Sequence, residues 1–288
     1  MDSKRLVTGL IIGFATLFAL ISGGVWLTLW ILAFVFLASK EYAEIMSHKG
    51  FLPSLKIMLT SSFLFALLAY CNRFDLIPLA FTVSSLMAFM WVLFRGKQPY
   101  IANVATTILG FVYCGWFPLH MLFLRDLGCD PIYHGIVKES GCSEGSIYTL
   151  ILFFAVLVTD SFCYYVGKKF GKHKLSPVIS PNKTIEGSIG GTIMCIIFSI
   201  AMGITIMPWY HALIIGLLIA TFAQIGDLCE SMIKREAGVK DSSNILPGHG
   251  GFLDRTDSYI LTIPVIYYYC QYGIPMIDSF IESCGGLF

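Results

Sequence analysis

Most of the side chains that could do chemistry lie in two stretches of the sequence, 160–187 and 224–257. In the second stretch, four polar residues recur with the spacing i, i+3, i+4 and i+7: Asp227, Glu230, Ser231 and Lys234. On a helix, this spacing would place all four on one face. Residues 247–251 read Pro-Gly-His-Gly-Gly, which predicts a turn, and we expect the turn to bring Asp254 back towards Asp227.

Asp227 and Asp254 predict a metal site. Asp227 directly follows an apolar run, and a carboxylate in such a position usually lines a cavity or pairs with a cation. Two carboxylates with neighbouring hydroxyl groups suit Mg²⁺, which prefers oxygen ligands and leaves room for substrate phosphates. The alternative is a salt-bridged helix at the membrane edge, where Lys234 and Arg235 only mark the boundary. The dense mixture of acids, bases and glycines favours a site over this alternative.

The first stretch contains five lysines among glycines and hydroxyl residues: Lys168, Lys169, Lys172, Lys174 and Lys183. Lysine provides positive charge, and glycine allows backbone N–H groups to approach phosphate oxygens. These features indicate a polyphosphate-binding loop. An ordinary cytoplasmic loop rich in lysine would have the same composition, so the residues alone leave both interpretations open.

Several segments of the two stretches form a pattern that can be compared as a whole: Asp160-Ser161, Gly167-Lys168, Gly171-Lys172, 180–187, Gln224-x-Gly226-Asp227, Ser231-Met-Ile-Lys234-Arg235, Lys240-Asp241 and 247–257. This pattern resembles the phosphatidate cytidylyltransferase (CDP-diacylglycerol synthase) family. The match to the family signature runs without a gap over residues 231–257, and the wider resemblance spans roughly residues 150–265.

The resemblance implies an enzyme that converts CTP and phosphatidate into CDP-diacylglycerol and pyrophosphate. It implies a Mg²⁺ centre held by Asp227 and Asp254, allows a second, monovalent cation such as K⁺, and implies a homodimer. We assign catalytic roles to five residues: Asp227, Asp254, Lys234, Lys240 and Arg255. We assign substrate binding to nine: Lys183, Thr184, Ser180, Ser231, Arg235, His249, Gly250, Gly251 and Asp160. The basic side chains would contact phosphates, Ser231 would lie beside the metal, and His249 with the glycine turn would contact an anionic oxygen.

The elements that must position these residues are membrane helices. Hydrophobic residues make up 56 % of the chain and charged residues 13 %, with a formal net charge of +1. This composition excludes a disordered chain, a coiled coil and an ordinary soluble domain, and the net charge argues against a nucleic-acid partner. The apolar runs are long and uncharged, so we predict an all-α, polytopic membrane protein with about nine transmembrane helices. The predicted spans are Leu6–Ile21, Val25–Ala38, Ile57–Cys71, Leu76–Phe94, Ile101–Leu124, Ile147–Val166, Ile189–Met207, Trp209–Ile225 and Tyr259–Ile277. The first two would be too long as one helix, so Gly23 and Gly24 predict a helical hairpin that turns between them.

The distribution of Lys and Arg predicts the orientation. With a cytoplasmic N-terminus, 16 of the 19 Lys and Arg residues lie on the cytoplasmic side, and both polar stretches face the cytoplasm. We divide the chain into an N-terminal transmembrane region (1–146) and a C-terminal catalytic region (147–288). No signal-peptide cleavage pattern follows the first apolar run, so we interpret that run as the first span. From the short N-terminus without a soluble extension, we expect an integral protein of a bacterial inner membrane.

Three alternatives stay open at this point. Sequence does not report the distance between Cys129 and Cys142, which share a predicted outside loop, so a disulfide between them is undecided. In a transporter, Asp160, Gln224 and Asp227 would line the substrate path through the membrane. A transporter would also have polar residues in several spans, whereas here they cluster at one cytoplasmic rim. A membrane transferase with another nucleotide or a prenyl donor would need the same residue types, and only the specific signature argues against it.

Overall fold

The computed structural model describes residues 3–71, 73–128, 143–204, 206–243, 245 and 250–284. The helices of the N-terminal half are α1 (Ser3–Ser22), α2 (Gly24–His48), α3 (Leu55–Tyr70), α4 (Ile77–Arg95), α5 (Tyr100–Gly110) and α6 (Phe117–Arg125), with a π-helical segment (Phe111–Trp116) joining the last two. The C-terminal half contains α7 (Ser143–Phe170), the strands β1 (Lys174–Ser176) and β2 (Ser180–Thr184), α8 (Ile185–Gly203), α9 (Trp209–Glu236), α10 (Leu253–Tyr268), a second π-helical segment (Tyr269–Gly273) and α11 (Ile274–Ser283).

Seven helical segments of the described chain are long and apolar enough to cross a membrane: Gly24–His48, Phe74–Arg95, Tyr100–Arg125, Glu144–Phe170, Ile185–Gly203, Trp209–Glu236 and Leu253–Ser283. Two shorter apolar helices, Gly9–Ser22 and Leu55–Tyr70, coincide with the first and third predicted spans. The prediction of an all-α, polytopic membrane protein is therefore confirmed. The count of nine transmembrane helices is not confirmed, because seven segments of the described chain meet the length and hydropathy expected of a span.

The turn between α1 and α2 has the form that the sequence predicts. Gly23 and Gly24 adopt φ values of +62° and +48°, a backbone conformation that other residues rarely reach. The buried guanidinium of Arg125 lies against this turn, where Nε donates to the Leu20 carbonyl at 2.9 Å and Nη2 to the Ile21 carbonyl at 3.2 Å. These carbonyls belong to the last turn of α1, so the buried cation is stabilised by the negative end of a helix.

Two helices extend beyond the apolar runs that predicted them. The predicted spans ended at Ala38 and Ile225, whereas α2 continues to His48 and α9 continues to Glu236. Polar residues stop a hydropathy pattern, but the backbone hydrogen bonds of a helix continue through them. These extensions matter because they carry most of the acidic side chains described below.

A short β-hairpin connects α7 to α8, and no strand was predicted from the sequence. Strands β1 and β2 pair antiparallel with Ser176 opposite Ser180 and Lys174 opposite Thr184. The carboxylate of Glu186 accepts the backbone N–H groups of Lys172 (3.0 Å) and His173 (3.2 Å), which fixes the entry to β1. The hairpin therefore has a defined orientation at the ends of two membrane helices.

Helices α9 and α10 approach closely at Gly226. A Cβ atom added there would lie 2.6 Å from the backbone carbonyl oxygen of Asp257. Because this neighbour is backbone, the two helices would have to separate, and we expect Gly226→Ala to lower the free energy of unfolding by about 1–3 kcal/mol. Gly13→Ala is the matched control, since nothing lies within 4 Å of its added Cβ. Thermal unfolding in detergent measures both; equal midpoints for the two variants would contradict the close approach.

Candidate active site

An ion pair joins the hairpin to α9. Nζ of Lys183, on β2, lies 2.8 Å from Oδ2 of Asp227, and both side chains are partly exposed. Thr184 ends the strand and caps α8, because its hydroxyl accepts the N–H of Gly187 at 3.2 Å. This cap fixes the direction in which β2 presents Lys183. Ser231, one turn further along α9, places its Oγ 3.5 Å from Oδ1 of Asp227.

A second ion-paired group lies further along the same helix. Nζ of Lys234 is 2.6 Å from Oε2 of Glu230 and 2.6 Å from Oδ1 of Asp254, and the Glu230 side chain is fully buried. Asp254 is in the first turn of α10 and meets α9 at Lys234, two turns beyond Asp227. The predicted approach of Asp254 to Asp227 itself stays a prediction. Asp227 and Asp254 contact different lysines.

The second oxygen of Asp254 is held by the segment before α10. Oδ2 accepts the backbone N–H groups of Ser242 (3.0 Å) and Gly251 (2.9 Å) and lies 3.0 Å from the Ser242 hydroxyl. Both carboxylate oxygens therefore have protein partners. Such a fully hydrogen-bonded carboxylate has a fixed orientation.

Glu41, on α2, anchors this segment and was missed in the sequence analysis. Its side chain is completely buried. It accepts four hydrogen bonds, from the groups Ser242 Oγ (2.9 Å), Ser243 Oγ (2.6 Å), Phe252 N (2.8 Å) and Leu253 N (2.7 Å). The last two N–H groups begin α10, so Glu41 satisfies the N-terminus of that helix with a negative charge. An acid within an otherwise largely apolar helix was the available signal.

The two glycines predicted to bind substrate have structural reasons to be glycine. Gly250 has φ +83°. A Cβ on Gly251 would collide with the Ser242 hydroxyl and lie 2.8 Å from Oε2 of Glu41. The N–H of Gly251 already donates to Asp254, so in this structure it contacts an anionic oxygen of the protein itself. Substrate binding by these glycines stays a prediction.

Helix α7 adds Asp160 to the same region. The hydroxyl of Ser258, on α10, donates to Oδ1 of Asp160 at 3.3 Å, and the Ser258 N–H donates to its neighbour Asp257 at 2.7 Å. Asp257 is buried and interacts electrostatically with three other carboxylates: Asp160, Asp227 and Glu230. The contacts therefore link more carboxyl groups than lysines, and carboxyl groups inside a membrane protein usually pair with a cation or line a cavity.

The remaining predicted residues lie around this network. Arg235 is exposed, and its guanidinium donates to the Ile179 carbonyl of the hairpin and to the Val239 carbonyl, both at 3.3 Å. Lys240 and Arg255 are exposed, and Ser180 begins β2. His249 lies outside the described residues, as do Cys129 and Cys142, so their predicted roles are untested. The division of the chain at residue 146 also stays a prediction, and the hydrogen bonds of Glu41 cross it.

The side chains fit Mg²⁺ by their chemistry. In the described ranges, no group of three or more His, Cys, Asp or Glu residues is arranged to hold a metal ion. Mg²⁺ in phosphoryl-transfer sites is, however, commonly held by one or two carboxylates together with substrate phosphates. Asp227 and Asp254 supply such carboxylates, and each already stabilises a positively charged lysine. The magnesium site stays a prediction.

Several known proteins are similar to this chain over part or nearly all of its length. The chain matches the model of the Cytidylyltransferase family over residues 3–273. A phosphatidate cytidylyltransferase of Synechocystis sp. is 33% identical over 97% of this chain and 100% of the relative. The chloroplastic phosphatidate cytidylyltransferase 4 of Arabidopsis thaliana is 32% identical over 95% of this chain and 74% of its own length. The phosphatidate cytidylyltransferase of Staphylococcus saprophyticus is 49% identical over 43% of this chain and 49% of its own length.

Proposed function

Because the chain belongs to the cytidylyltransferase family, we propose that it is a phosphatidate cytidylyltransferase. It transfers CMP from CTP to phosphatidate, which gives CDP-diacylglycerol and pyrophosphate in phospholipid biosynthesis. The observation that carries this proposal is the similarity to the Synechocystis enzyme over 97% of this chain and the whole of that enzyme. The network of acids and lysines on β2, α7, α9 and α10 is consistent with phosphoryl-transfer chemistry.

The reaction needs charge stabilisation more than a strong base. The phosphate of phosphatidate is already an anion, so one of its oxygens can attack the α-phosphorus of CTP. A bond forms between these two atoms, and the bond from the α-phosphorus to the pyrophosphate oxygen breaks. The barrier lies in bringing two polyanions together and stabilising the charge on the leaving group. Lys183, Lys234, Lys240 and Arg255 are the side chains that we assign to these oxygens.

The network around Asp254 would hold this site in shape. Lys234 binds the buried Glu230 and Asp254 at once, so its ammonium group is fixed by two carboxylates. Asp254 is in turn fixed by Ser242 and Gly251. Fixed dipoles and charges stabilise a transition state without first having to reorient.

We propose Mg²⁺ as the cofactor, with Asp227 and Asp254 as its protein ligands and a second, monovalent cation such as K⁺ as a further occupant. Bound Mg²⁺ would polarise phosphate oxygens and stabilise the negative charge of pyrophosphate. The protein's part is to orient the two carboxylates, through Lys183 and Ser231 for Asp227 and through Ser242 for Asp254.

The membrane location suits a lipid substrate. Phosphatidate would keep its acyl chains in the bilayer while its headgroup reaches the ends of α7, α9 and α10. The distribution of Lys and Arg supports a site on the cytoplasmic side, and the bacterial relatives support a bacterial inner membrane as its location. We also propose a homodimer, which size-exclusion chromatography with light scattering of the detergent-solubilised protein would test.

The activity is tested with purified protein, phosphatidate in mixed micelles and CTP labelled in its α-phosphate. We expect the label to appear in a chloroform-soluble product that migrates as CDP-diacylglycerol, in equal amount to the pyrophosphate released. CTP labelled in its γ-phosphate is the control, because that label must stay in the aqueous phase. Label from CTP that never enters the lipid phase, with folded protein, would refute the proposed function.

Removal of divalent metal is expected to abolish turnover. Without Mg²⁺, the charge of the leaving pyrophosphate is less well stabilised, so EDTA should lower the rate by about 100-fold or more. An excess of MgCl₂ over EDTA should restore it, while an excess of NaCl at the same ionic strength should not. Full activity in EDTA after the protein has been purified with chelator would refute the metal assignment and leave the transferase activity standing.

A further inference from the structure

We propose that the end of α7 and the following hairpin bind the headgroups of anionic membrane lipids beside the active site. The binding surface, here called the basic patch, consists of four residues: Lys168, Lys169, Lys172 and Lys174. This inference rests on the proposed function in one respect: the proposed function makes the neighbouring site one that modifies a lipid. Binding of lipid to the patch itself requires no turnover.

The charges of the basic patch are available to a ligand. All four lysines are exposed, and in the described part of the chain none has a carboxylate within ion-pair distance. Glu186, the acid that reaches this segment, instead pairs with the side chain of His173 at 2.6 Å. Four positive charges within seven residues, at the end of a membrane-crossing helix and directly after it, are typical of a segment that binds anionic lipids.

Aromatic residues place the patch at the level of the lipid headgroups. Tyr164 and Tyr165, on α7, are 60% and 66% exposed, which is typical of side chains at a membrane interface. Nζ of Lys168 lies 5.7 Å from the ring centroid of Tyr164. Lys168 and Lys169 follow these tyrosines by one helical turn, or about 6 Å along the axis. Phe170, 57% exposed, ends the helix there.

The hairpin fixes the rest of the patch and ties it to the active site. Glu186 holds the start of β1, and Arg235 of α9 donates to the Ile179 carbonyl near the hairpin tip. Val178 at this tip is 89% exposed, so an aliphatic group stands beside the lysines. Strand β2 then carries Lys183 to Asp227. A lipid bound by the patch would therefore lie next to the residues that we assign to catalysis.

Two ligands could satisfy these lysines, since both CTP and a lipid headgroup present phosphate oxygens. The exposed aliphatic side chain of Val178, beside exposed aromatic residues at the end of a membrane helix, favours the lipid, because basic surfaces that also carry apolar side chains bind at the bilayer edge. The triphosphate of CTP is the alternative that an experiment must separate.

Lipid binding is measured by native mass spectrometry of the full-length protein in neutral detergent, titrated with phosphatidylglycerol or phosphatidylcholine and without CTP. For the unmodified protein, we expect an affinity for phosphatidylglycerol about tenfold higher than for phosphatidylcholine. In one variant the four lysines of the patch become glutamine, and this preference should fall below about threefold. In the control variant, four exposed lysines elsewhere in the chain become glutamine, and the preference for phosphatidylglycerol should stay about tenfold: K40Q/K49Q/K56Q/K97Q.

Salt gives a test that needs no variant. The rise in unfolding midpoint caused by phosphatidylglycerol should largely disappear in about 0.5 M NaCl, because screening acts strongly on exposed charges. An unchanged lipid preference in the patch variant, or one that survives this salt, would refute the proposal. If instead the patch variant raises the KM for CTP while its lipid preference is unchanged, the lysines bind the nucleotide. If the lipid preference is intact but no CDP-diacylglycerol forms, the proposed enzymatic activity is refuted and the lipid-binding proposal stands.

Discussion

Asp227→Asn is expected to lower kcat by about 100- to 1000-fold while the protein stays folded and inserted in the membrane. The substitution keeps the size of the side chain and removes its charge. It therefore removes the partner of Lys183, and with it the carboxylate that we assign to Mg²⁺. The ion pair is partly exposed, so its loss should change the free energy of unfolding by no more than about 1 kcal/mol.

The control for this prediction is Glu236→Gln, on the same helix. Glu236 is exposed and pairs at 3.0 Å with Lys49, away from the network of Asp227. Its substitution removes the same charge and should leave kcat within about twofold, as expected for an exposed pair. Initial rates with labelled CTP and unfolding midpoints are measured for both variants. Near-normal turnover by Asp227→Asn would remove Asp227 from the mechanism and from the metal centre.

The fold could be predicted from the sequence where one physical signal dominated. Long apolar runs predicted the membrane helices, and the pair Gly23-Gly24 predicted the turn between α1 and α2. The helix ends were less well predicted, because hydropathy marks the membrane and not the end of backbone hydrogen bonding. The hairpin was missed for another reason: its five-residue strand Ser180–Thr184 contains Pro, Asn and Lys, which have low strand propensity.

In the candidate site, the sequence predicted which residues share a helix, but it did not predict the contacts between residues that are far apart in the chain. The i, i+3, i+4, i+7 pattern correctly put Asp227 and Lys234 on one helix, and Asp254 of α10 contacts Lys234 of that helix. Most of the predicted turn 247–251 lies outside the described residues, so the turn itself stays a prediction. The pairing of each aspartate with its own lysine depends on how three helices pack, which spacing does not encode. Glu41 meets Ser242 across 201 residues, so its role could not be read from either segment alone.

The position of Glu41 also bears on how the two halves of the chain cooperate. One carboxylate of α2 receives the first N–H groups of α10 and the hydroxyls of the segment before it. The N-terminal helices therefore do more than anchor the protein in the membrane, because they hold the segment that orients Asp254. This agrees with the family match, which begins at residue 3.

Glu41→Gln is accordingly expected to destabilise the protein and to reduce its activity together. Each carboxylate oxygen of Glu41 accepts one backbone N–H, from Phe252 or from Leu253. A glutamine must turn its NH₂ group towards one of these donors, which cannot reorient as a hydroxyl can. One buried N–H then loses its acceptor, and the helix terminus loses its negative charge. We expect the free energy of unfolding to fall by about 3 kcal/mol.

Glu44→Gln is the matched control, one turn further along α2 and exposed, and it should leave the activity and the free energy of unfolding unchanged.

Ser242→Ala separates the positioning of Asp254 from the folding of the protein. It removes the hydroxyl that lies 2.9 Å from Oε2 of Glu41 and 3.0 Å from Oδ2 of Asp254, while the backbone contacts of Glu41 to α10 remain. We expect kcat to fall about tenfold, with a loss of unfolding free energy of about 1 kcal/mol. Wild-type turnover in Ser242→Ala, measured well below its unfolding midpoint, would mean that Glu41 only stabilises the start of α10.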